Sequence, residues 1–464
     1  MTQVINDLKY LLEPRSLAVI GASRSTGKKT NVLENLLSYG FTGNIYPVNP
    51  KATEILGLKA YASVTDIPGE IDLVLISTPR STVIPLVEEC AQKGIKVAIV
   101  VAQGFADAND EEGRNLQHNL VRIAEERGIR IVGPNTFGVG NGFINLNTAF
   151  VFLKPEKIPV GAIGQSGLTF AVTTQSQSLG KAVDIGNACD VGFCDVLEYF
   201  REDPDIKIIV LYIEGLPKDG NKFLEIARET AKKKPILALR GGKTEEGAKK
   251  VQSHTGSLAG KNEIWKAAFR QNGIIEVDDM GEVDDIVKAY LNLPLPKGRK
   301  LAIMSYSMGC GIMATDACQK YGLEVAKLSS KTMTALKKLY PSWVSVGNPV
   351  DLAPPFSISE IDSNVAFRTI LGALLSDPEV DGVVSITPAP NTDALEFYDH
   401  SQAMLETARN FEKPVLPWLY FPHEDRLGIK KYEEKGIPVF PTFYRAIKAF
   451  SRLYDYYEWC RTSK

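Results

Sequence analysis

The sequence predicts an α/β fold built on parallel sheets, and three observations carry that expectation. From residue 17 onward, short apolar β-rich runs alternate with turns and longer amphipathic stretches, the pattern of strands covered by crossover helices. The chain has 464 residues, 44% of them hydrophobic, enough for three cores at a typical ~150 residues per domain. The segment Leu293-Pro294-Leu295-Pro296-Lys297-Gly298 cannot continue a helix and divides the alternation as a linker.

In the first third, strands are expected at 17–20, 44–48, 73–76, 97–101 and 130–132, with helices such as 81–93 and 111–127 between them. This reads as a Rossmann-like unit, residues 1–145. The Asn- and Gly-rich stretch around Gly138 to Asn147 opens a second unit, 146–292, with strands near 160–163, 183–185, 208–212 and 235–239. Beyond the linker, strands near 301–304, 382–387 and 415–418 restart the pattern in a third unit, 300–464. No short period repeats, so internal similarity lies at the level of whole domains.

Composition excludes several partners. Fifty-three basic and 55 acidic side chains leave a net charge of -2, so no global field attracts nucleic acid or an anionic membrane. Residues 1–10 include Asp7 and Lys9 without an apolar core, and no 18-residue apolar run follows, which predicts a soluble, cytoplasmic protein. Six cysteines without a C-x-x-C pair suit a reducing compartment, and four histidines without H-x-x-x-H spacing predict no dedicated metal site. Any metal is expected to arrive with a nucleotide.

The first strand runs into Gly21-Ala22-Ser23-Arg24-Ser25-Thr26-Gly27-Lys28-Lys29, ahead of an amphipathic helix at about 31–38. A glycine-bearing turn from strand to helix lets phosphate oxygens approach backbone N–H groups where the helix dipole favours negative charge. The spacing is neither G-x-G-x-x-G nor a Walker A, so an ordinary tight turn stays open beside the anion reading, which the two lysines favour. The second strand ends in Val48-Asn49-Pro50-Lys51, where nicotinamide enzymes place an acid for the ribose. Lysine suits a phosphorylated ribose such as that of CoA and argues against a dehydrogenase. Further strand ends read Ser77-Thr78-Pro79, Ala102-Gln103-Gly104-Phe105 and Gly133-Pro134-Asn135-Thr136, small or polar loops along one crevice.

The strand at 160–163 ends in Gly164-Gln165-Ser166-Gly167-Leu168, and 169–179 has the pattern of a helix. This is a second anion cradle of successive amides and a serine hydroxyl. Farther on, Ser253-His254-Thr255-Gly256-Ser257-Leu258-Ala259-Gly260 surrounds one histidine with small residues. A neutral ring nitrogen can attack a phosphoryl or acyl centre at neutral pH. By itself, a loop histidine bonded locally is the alternative.

With these motifs together, the chain resembles the NDP-forming acyl-CoA synthetase superfamily, which includes succinyl-CoA synthetase and the archaeal ADP-forming acetyl-CoA synthetases. The resemblance covers nearly all of the chain, and the Ser253–Ser257 segment is its most specific match. It implies a CoA-binding Rossmann-like domain followed by two flavodoxin-like domains, the first carrying the phosphohistidine loop and the second the ligase-CoA domain. In that order it is similar to the alpha subunit of the archaeal enzymes. It further implies that His254 carries phosphate, that Glu214 orients its imidazole, and that Gly164, Gln165, Ser166 and Gly167 bind the phosphate. CoA is expected at Gly21, Ala22, Ser23, Lys28, Val48, Asn49, Pro50, Lys51, Ser77, Thr78, Pro79, Ala102, Gln103, Gly104 and Asn135. The loops Gly186–Asp190 and Asp195 look like family loops near the site. In the third domain, Ser305–Gly311 and Asn348-Pro349-Val350-Asp351 resemble the family's glycine loop and N-P-x-D element, although Met308 takes the place of a usual glycine. That loop is read either as an anion site or as a turn packed against a partner domain.

No segment resembles an ATP-grasp domain, so the resemblance implies a partner beta subunit that binds ADP or ATP with Mg2+, in an alpha2beta2 heterotetramer. The implied reaction, a substrate-level phosphorylation, is acyl-CoA + ADP + phosphate ⇌ carboxylic acid + ATP + CoA, through an acyl phosphate and phosphorylated His254. The alternatives are a succinyl-CoA synthetase-like ligase, which needs cationic donors for a second carboxylate, and a non-catalytic CoA-binding regulatory protein.

Overall fold

A computed structural model describes residues 3–25, 31–108, 110–150, 157–171, 180–216, 220–255, 262–421 and 426–463. The chain divides into two compact units, Met1–Asp284 and Asp285–Lys464. Every large sheet is predominantly parallel, as the alternation predicts.

The first sheet comprises β1 (Ser16–Ile20), β2 (Asn44–Val48), β5 (Leu73–Ile76), β6 (Val97–Val100) and β7 (Arg130–Val132), and a small antiparallel hairpin of β3 (Glu54–Ile55) and β4 (Leu58–Lys59) falls between β2 and β5 in the chain. Its order, β2-β1-β5-β6-β7, reverses direction at β1. Ligands of such sheets bind outside the carboxyl ends at that reversal. All four residues of β5 and of β6 are buried, as Val/Ile/Leu runs in a parallel sheet covered on both faces should be. The helix Val32–Tyr39 starts on Asn31, one residue later than its pattern predicts.

The second sheet comprises β8 (Val139–Asn141), β9 (Leu146–Asn147), β10 (Val160–Gly164), β11 (Lys181–Asp184), β12 (Ile208–Ile213), β13 (Ile236–Arg240) and β14 (Ile274–Val277). Its order is β14-β13-β12-β10-β11-β8-β9, reversing at β10. The Asn- and Gly-rich stretch is itself a hairpin, β8 and β9, that pairs antiparallel with β11 and so belongs to this sheet.

Side chains knit the two sheets into one unit. Asn141 Nδ2 donates to the carbonyl of Leu12 at 2.8 Å. Lys181, 1% exposed, donates to Asp203 at 2.7 Å and to Glu13 at 3.2 Å, with Asp205 also 3.2 Å away. Arg130 clamps both oxygens of Asp190 and reaches Asp195 at 3.1 Å. Buried charges of this kind are tolerated because each is paired and hydrogen-bonded.

The second unit carries a further sheet of β15 (Lys300–Ser305), β16 (Glu324–Val325), β17 (Val350–Asp351), β18 (Gly382–Pro388) and β19 (Val415–Tyr420), ordered β16-β15-β18-β19 with β17 on β15. The strands at 300–305, 382–388 and 415–420 enclose those expected from sequence and extend one or two residues further. The two-residue strands β16 and β17 are too short for periodicity to register.

Candidate active site

Apart from Lys28, the proposed CoA residues stand at or just after the ends of β1, β2, β5, β6 and β7, along one edge of the first sheet. Gly21 has φ +84, and a Cβ on it would lie 2.5 Å from the carbonyl oxygen of Ser77. No other residue fits this turn, which therefore exposes backbone at the sheet reversal. Asn49 Nδ2 donates to the carbonyl of Ala22 at 2.9 Å while its Oδ1 accepts from Lys51 N at 2.9 Å, tying the ends of β1 and β2 together. Asn31 Oδ1 accepts from Leu33 N and Glu34 N, so the first amides of the following helix are already satisfied by its own cap. An anion would therefore meet the loop ahead of the helix; Lys28, with residues 26–30, lies outside the described residues. Arg80, not singled out from sequence, donates to the carbonyl of Gly104 at 2.7 Å and braces the loop after β6.

A second edge forms where β10, β11 and β12 end. The register sets Gly164 beside Tyr212 on one side and Asp184 on the other. A Cβ on Gly164 would fall 2.2 Å from Thr169 Oγ1, so only glycine lets the loop fold back over the strand tip. Gln165, 5% exposed, accepts through Oε1 from Glu214 N at 3.0 Å and Gly215 N at 3.1 Å. That bridge joins the proposed phosphate loop to the loop after β12 and leaves Glu214 buried, its Oε1 accepting from the Tyr212 hydroxyl at 3.0 Å. Gly167–Ala171 forms a 3-10 turn where the sequence pattern predicts a helix from 169; residues 172–179 lie outside the described residues.

His254 falls next to last in the helix Glu245–Thr255; its side chain and residues 256–261 lie outside the described residues. The start of that segment is at this same edge, since a Cβ on Gly241 would lie 3.6 Å from Glu214 Cγ.

Asp184 was missed from sequence. Its carboxylate accepts from Phe137 N at 2.7 Å and Gly186 N at 3.2 Å, and Ile185 N donates to Gly164 O at 2.8 Å. Burial pushes the Asp184 carboxyl up to about 7, and the nearby Glu214 adds to the rise, against the two backbone donors. Its signal in the sequence was only its position, an acid ending a strand at the ligand edge. Asp190 and Asp195, expected near the site, hold Arg130, and Asp195 also accepts from Gly192 N to cap its helix.

The two edges are linked. Asn135 N donates to Ala102 O at 2.9 Å on the first edge, and Asn135 Nδ2 donates to Asn187 Oδ1 at 3.3 Å. Two residues on, Phe137 is fastened to Asp184, and Asp184 N donates to Gly138 O at 3.0 Å. The segment 133–138 thus runs from the proposed CoA crevice to the proposed phosphate loop.

In the second unit, Ser307 Oγ accepts from Cys310 N at 3.4 Å and caps the helix Met308–Lys320. Asn348 accepts from Ile303 N and donates to Leu301 O and Ala326 O, pinning the start of β17 to the sheet. A Cβ on Gly311 would lie 3.1 Å from Pro349, so the glycine loop and the N-P-x-D element pack on each other.

A glycine loop and a buried glutamate thus meet at one sheet reversal of a parallel α/β unit, with an open glycine turn at another. Residues 15–142 match the CoA-binding domain family, and residues 158–290 match the succinyl-CoA ligase-like flavodoxin domain family. The acetate–CoA ligase [ADP-forming] II subunit alpha of Pyrococcus furiosus is 36% identical over 441 residues, 93% of this chain and 94% of the relative. The corresponding I subunit alpha of that organism is 35% identical over 466 residues, 97% of this chain and 98% of the relative. Among solved structures, the acetyl-coenzyme A synthetase 1 of Ca. Korarchaeum cryptofilum in complex with phosphate and ADP superposes with a TM-score of 0.86 at 31% identity, covering 98% of each chain. The chain belongs to the family of ADP-forming acetate–CoA ligase alpha subunits.

Proposed function

We propose that this chain is the alpha subunit of an ADP-forming acetyl-CoA synthetase, catalysing acyl-CoA + ADP + phosphate ⇌ carboxylic acid + ATP + CoA. The observation that carries this reading is the meeting of Gly164, Gln165 and Glu214 at the tip of β10, reached from the CoA edge by residues 133–138.

CoA lies along the loops after β1, β2, β5, β6 and β7, with its thioester carried over the 133–138 segment. Phosphate sits on the amides of Gly164 to Gly167. A phosphate oxygen attacks the thioester carbonyl, the C–S bond breaks, and the departing thiolate takes the proton that phosphate gives up. A His254 ring nitrogen then attacks phosphorus; the P–O bond to the acyl group breaks and the carboxylate leaves. Glu214 accepts the other ring N–H, which fixes the tautomer and stabilises the imidazolium that develops. Splitting the transfer through a covalent intermediate replaces one high barrier by two lower ones. The phosphoryl group then passes from the His254 nitrogen to a β-phosphate oxygen of ADP, the N–P bond breaking as ATP forms; a partner ATP-grasp beta subunit would hold that ADP with Mg2+, whose charge would offset that of the phosphates, and two copies of each chain make the cytoplasmic assembly.

The test is labelling of this chain by radioactive ATP and Mg2+ with the candidate beta subunit. Acid-labile, base-stable label that vanishes in His254→Ala is the expected result. An unlabelled wild type beside an active partner overturns the reading.

A further inference from the structure

The structure assigns a residue to the choice of acyl group: we propose that Phe137, backed by Phe150, is the wall against which the acyl group rests, and that it selects short acyl groups. This inference rests on the proposed reaction, because it takes the thioester to lie between the CoA edge and the phosphate loop. The thioester carbon must come within bonding reach of phosphate on Gly164 to Gly167, so the acyl group it carries has to lie beside that loop. Among the described residues, Phe137 is an apolar side chain placed there.

A Cβ built on Gly167 would lie 2.9 Å from two atoms of the Phe137 ring, so the ring rests directly on the loop. Yet Phe137 remains 37% exposed, which leaves part of an aromatic surface uncovered at a polar strand edge. Its backbone is held by the carboxylate of Asp184 at 2.7 Å, and the preceding Thr136 Oγ1 donates to the Asp184 carbonyl. Phe150 meets it edge to face, ring centroids 6.2 Å apart and planes at 77°. Phe150 is steadied in turn by its neighbour Ala149, whose carbonyl accepts from Asn35 Nδ2 at 3.0 Å. A ring seated on the loop and met edge to face by Phe150 stands where a larger acyl group would have to go, so its size sets a limit on the acyl chain. In apolar pockets one methylene too many or too few changes kcat/KM by about 10–200-fold.

The experiment uses the complete alpha and beta assembly and compares kcat/KM for acetyl-CoA and phenylacetyl-CoA in wild type, Phe137→Ala and Phe137→Leu. The ratio within each variant cancels any loss common to both substrates. The expected result is a shift of at least tenfold toward phenylacetyl-CoA in Phe137→Ala, with Phe137→Leu between. A ratio unchanged within twofold in an active variant overturns the inference and leaves the proposed reaction standing. Loss of turnover with every acyl-CoA in both variants also overturns it, because Phe137 would then serve the loop itself. A wild type that is labelled by ATP but turns over no acyl-CoA overturns the proposed reaction, and this inference with it.

Discussion

The carboxyl edge of the seven-stranded sheet and the carboxyl edge of the sheet in Asp285–Lys464 share a layout and differ in what fills them. Both reverse at a strand followed by a glycine-bearing turn, β10 into Gly164–Gly167 and β15 into Ser305–Gly311, whose last four residues begin the helix Met308–Lys320. At the first, buried side chains are acids and an amide: Asp184, Glu214 and Gln165. At the second, the buried side chain is His400, whose ring is nearly parallel to those of Phe367, centroids 4.4 Å apart, and Tyr306, centroids 5.8 Å apart. Its ring nitrogens meet Asn364 Oδ1 at 3.0 Å and the Tyr306 hydroxyl at 3.2 Å. The same architecture thus builds a polar edge in one place and closes it with stacked rings in the other. A glycine loop after a strand does not by itself make an anion site; the residues behind it decide.

The contrast has opposite signs in pH. Asp184 has its folded-state affinity for a proton raised, from 3.8 to about 7. The stability it contributes is therefore full below about pH 4 and lost as pH rises through 7. At about 1.4 kcal/mol per decade of proton affinity the effect reaches at most about 4 kcal/mol. Asp184→Asn should flatten this fall in Met1–Asp284, read as hydrogen exchange of β11 amides between pH 4 and 8. An identical slope in wild type and variant would break the comparison at its larger end.

His400 runs the other way, because burial lowers it from 6.5 to about 4. Its neutral form belongs to the fold, so stability is full above 6.5 and lost as pH falls toward 4. The same conversion makes this about 3 kcal/mol. His400→Phe keeps a ring beside Phe367 and Tyr306 and should remove the slope, read as exchange of β18 amides across that window, whatever it does to absolute stability. A slope that persists would place the titrating group elsewhere.

The smallest effect sharpens the reading of the two loops. Ser307→Ala removes a helix N-cap and should cost about 1 kcal/mol of stability in Asp285–Lys464 by denaturant titration, leaving turnover unchanged. A tenfold loss of turnover without loss of stability would give the second loop a part in catalysis.

Much was legible in the chain alone. Alternating apolar runs and turns determined the parallel α/β class, because a strand buried on both faces must be apolar throughout and a crossover needs a helix. The glycines at Gly21 and Gly164 marked strand tips that only glycine can make, Gln165 and Ser166 stood beside Gly164 in one short segment, and Glu214 was named through the family resemblance of its own strand end. Tertiary structure alone decided the rest. That β8 and β9 join the second sheet, that Lys181 is buried among Glu13, Asp203 and Asp205, that Asp190 serves Arg130, and that Asp184 holds Phe137 over Gly167 all depend on residues far apart in sequence. Local patterns report which face of an element avoids water. They carry no record of which distant backbone N–H a carboxylate will meet, and that meeting separates a solvated acid from a buried one.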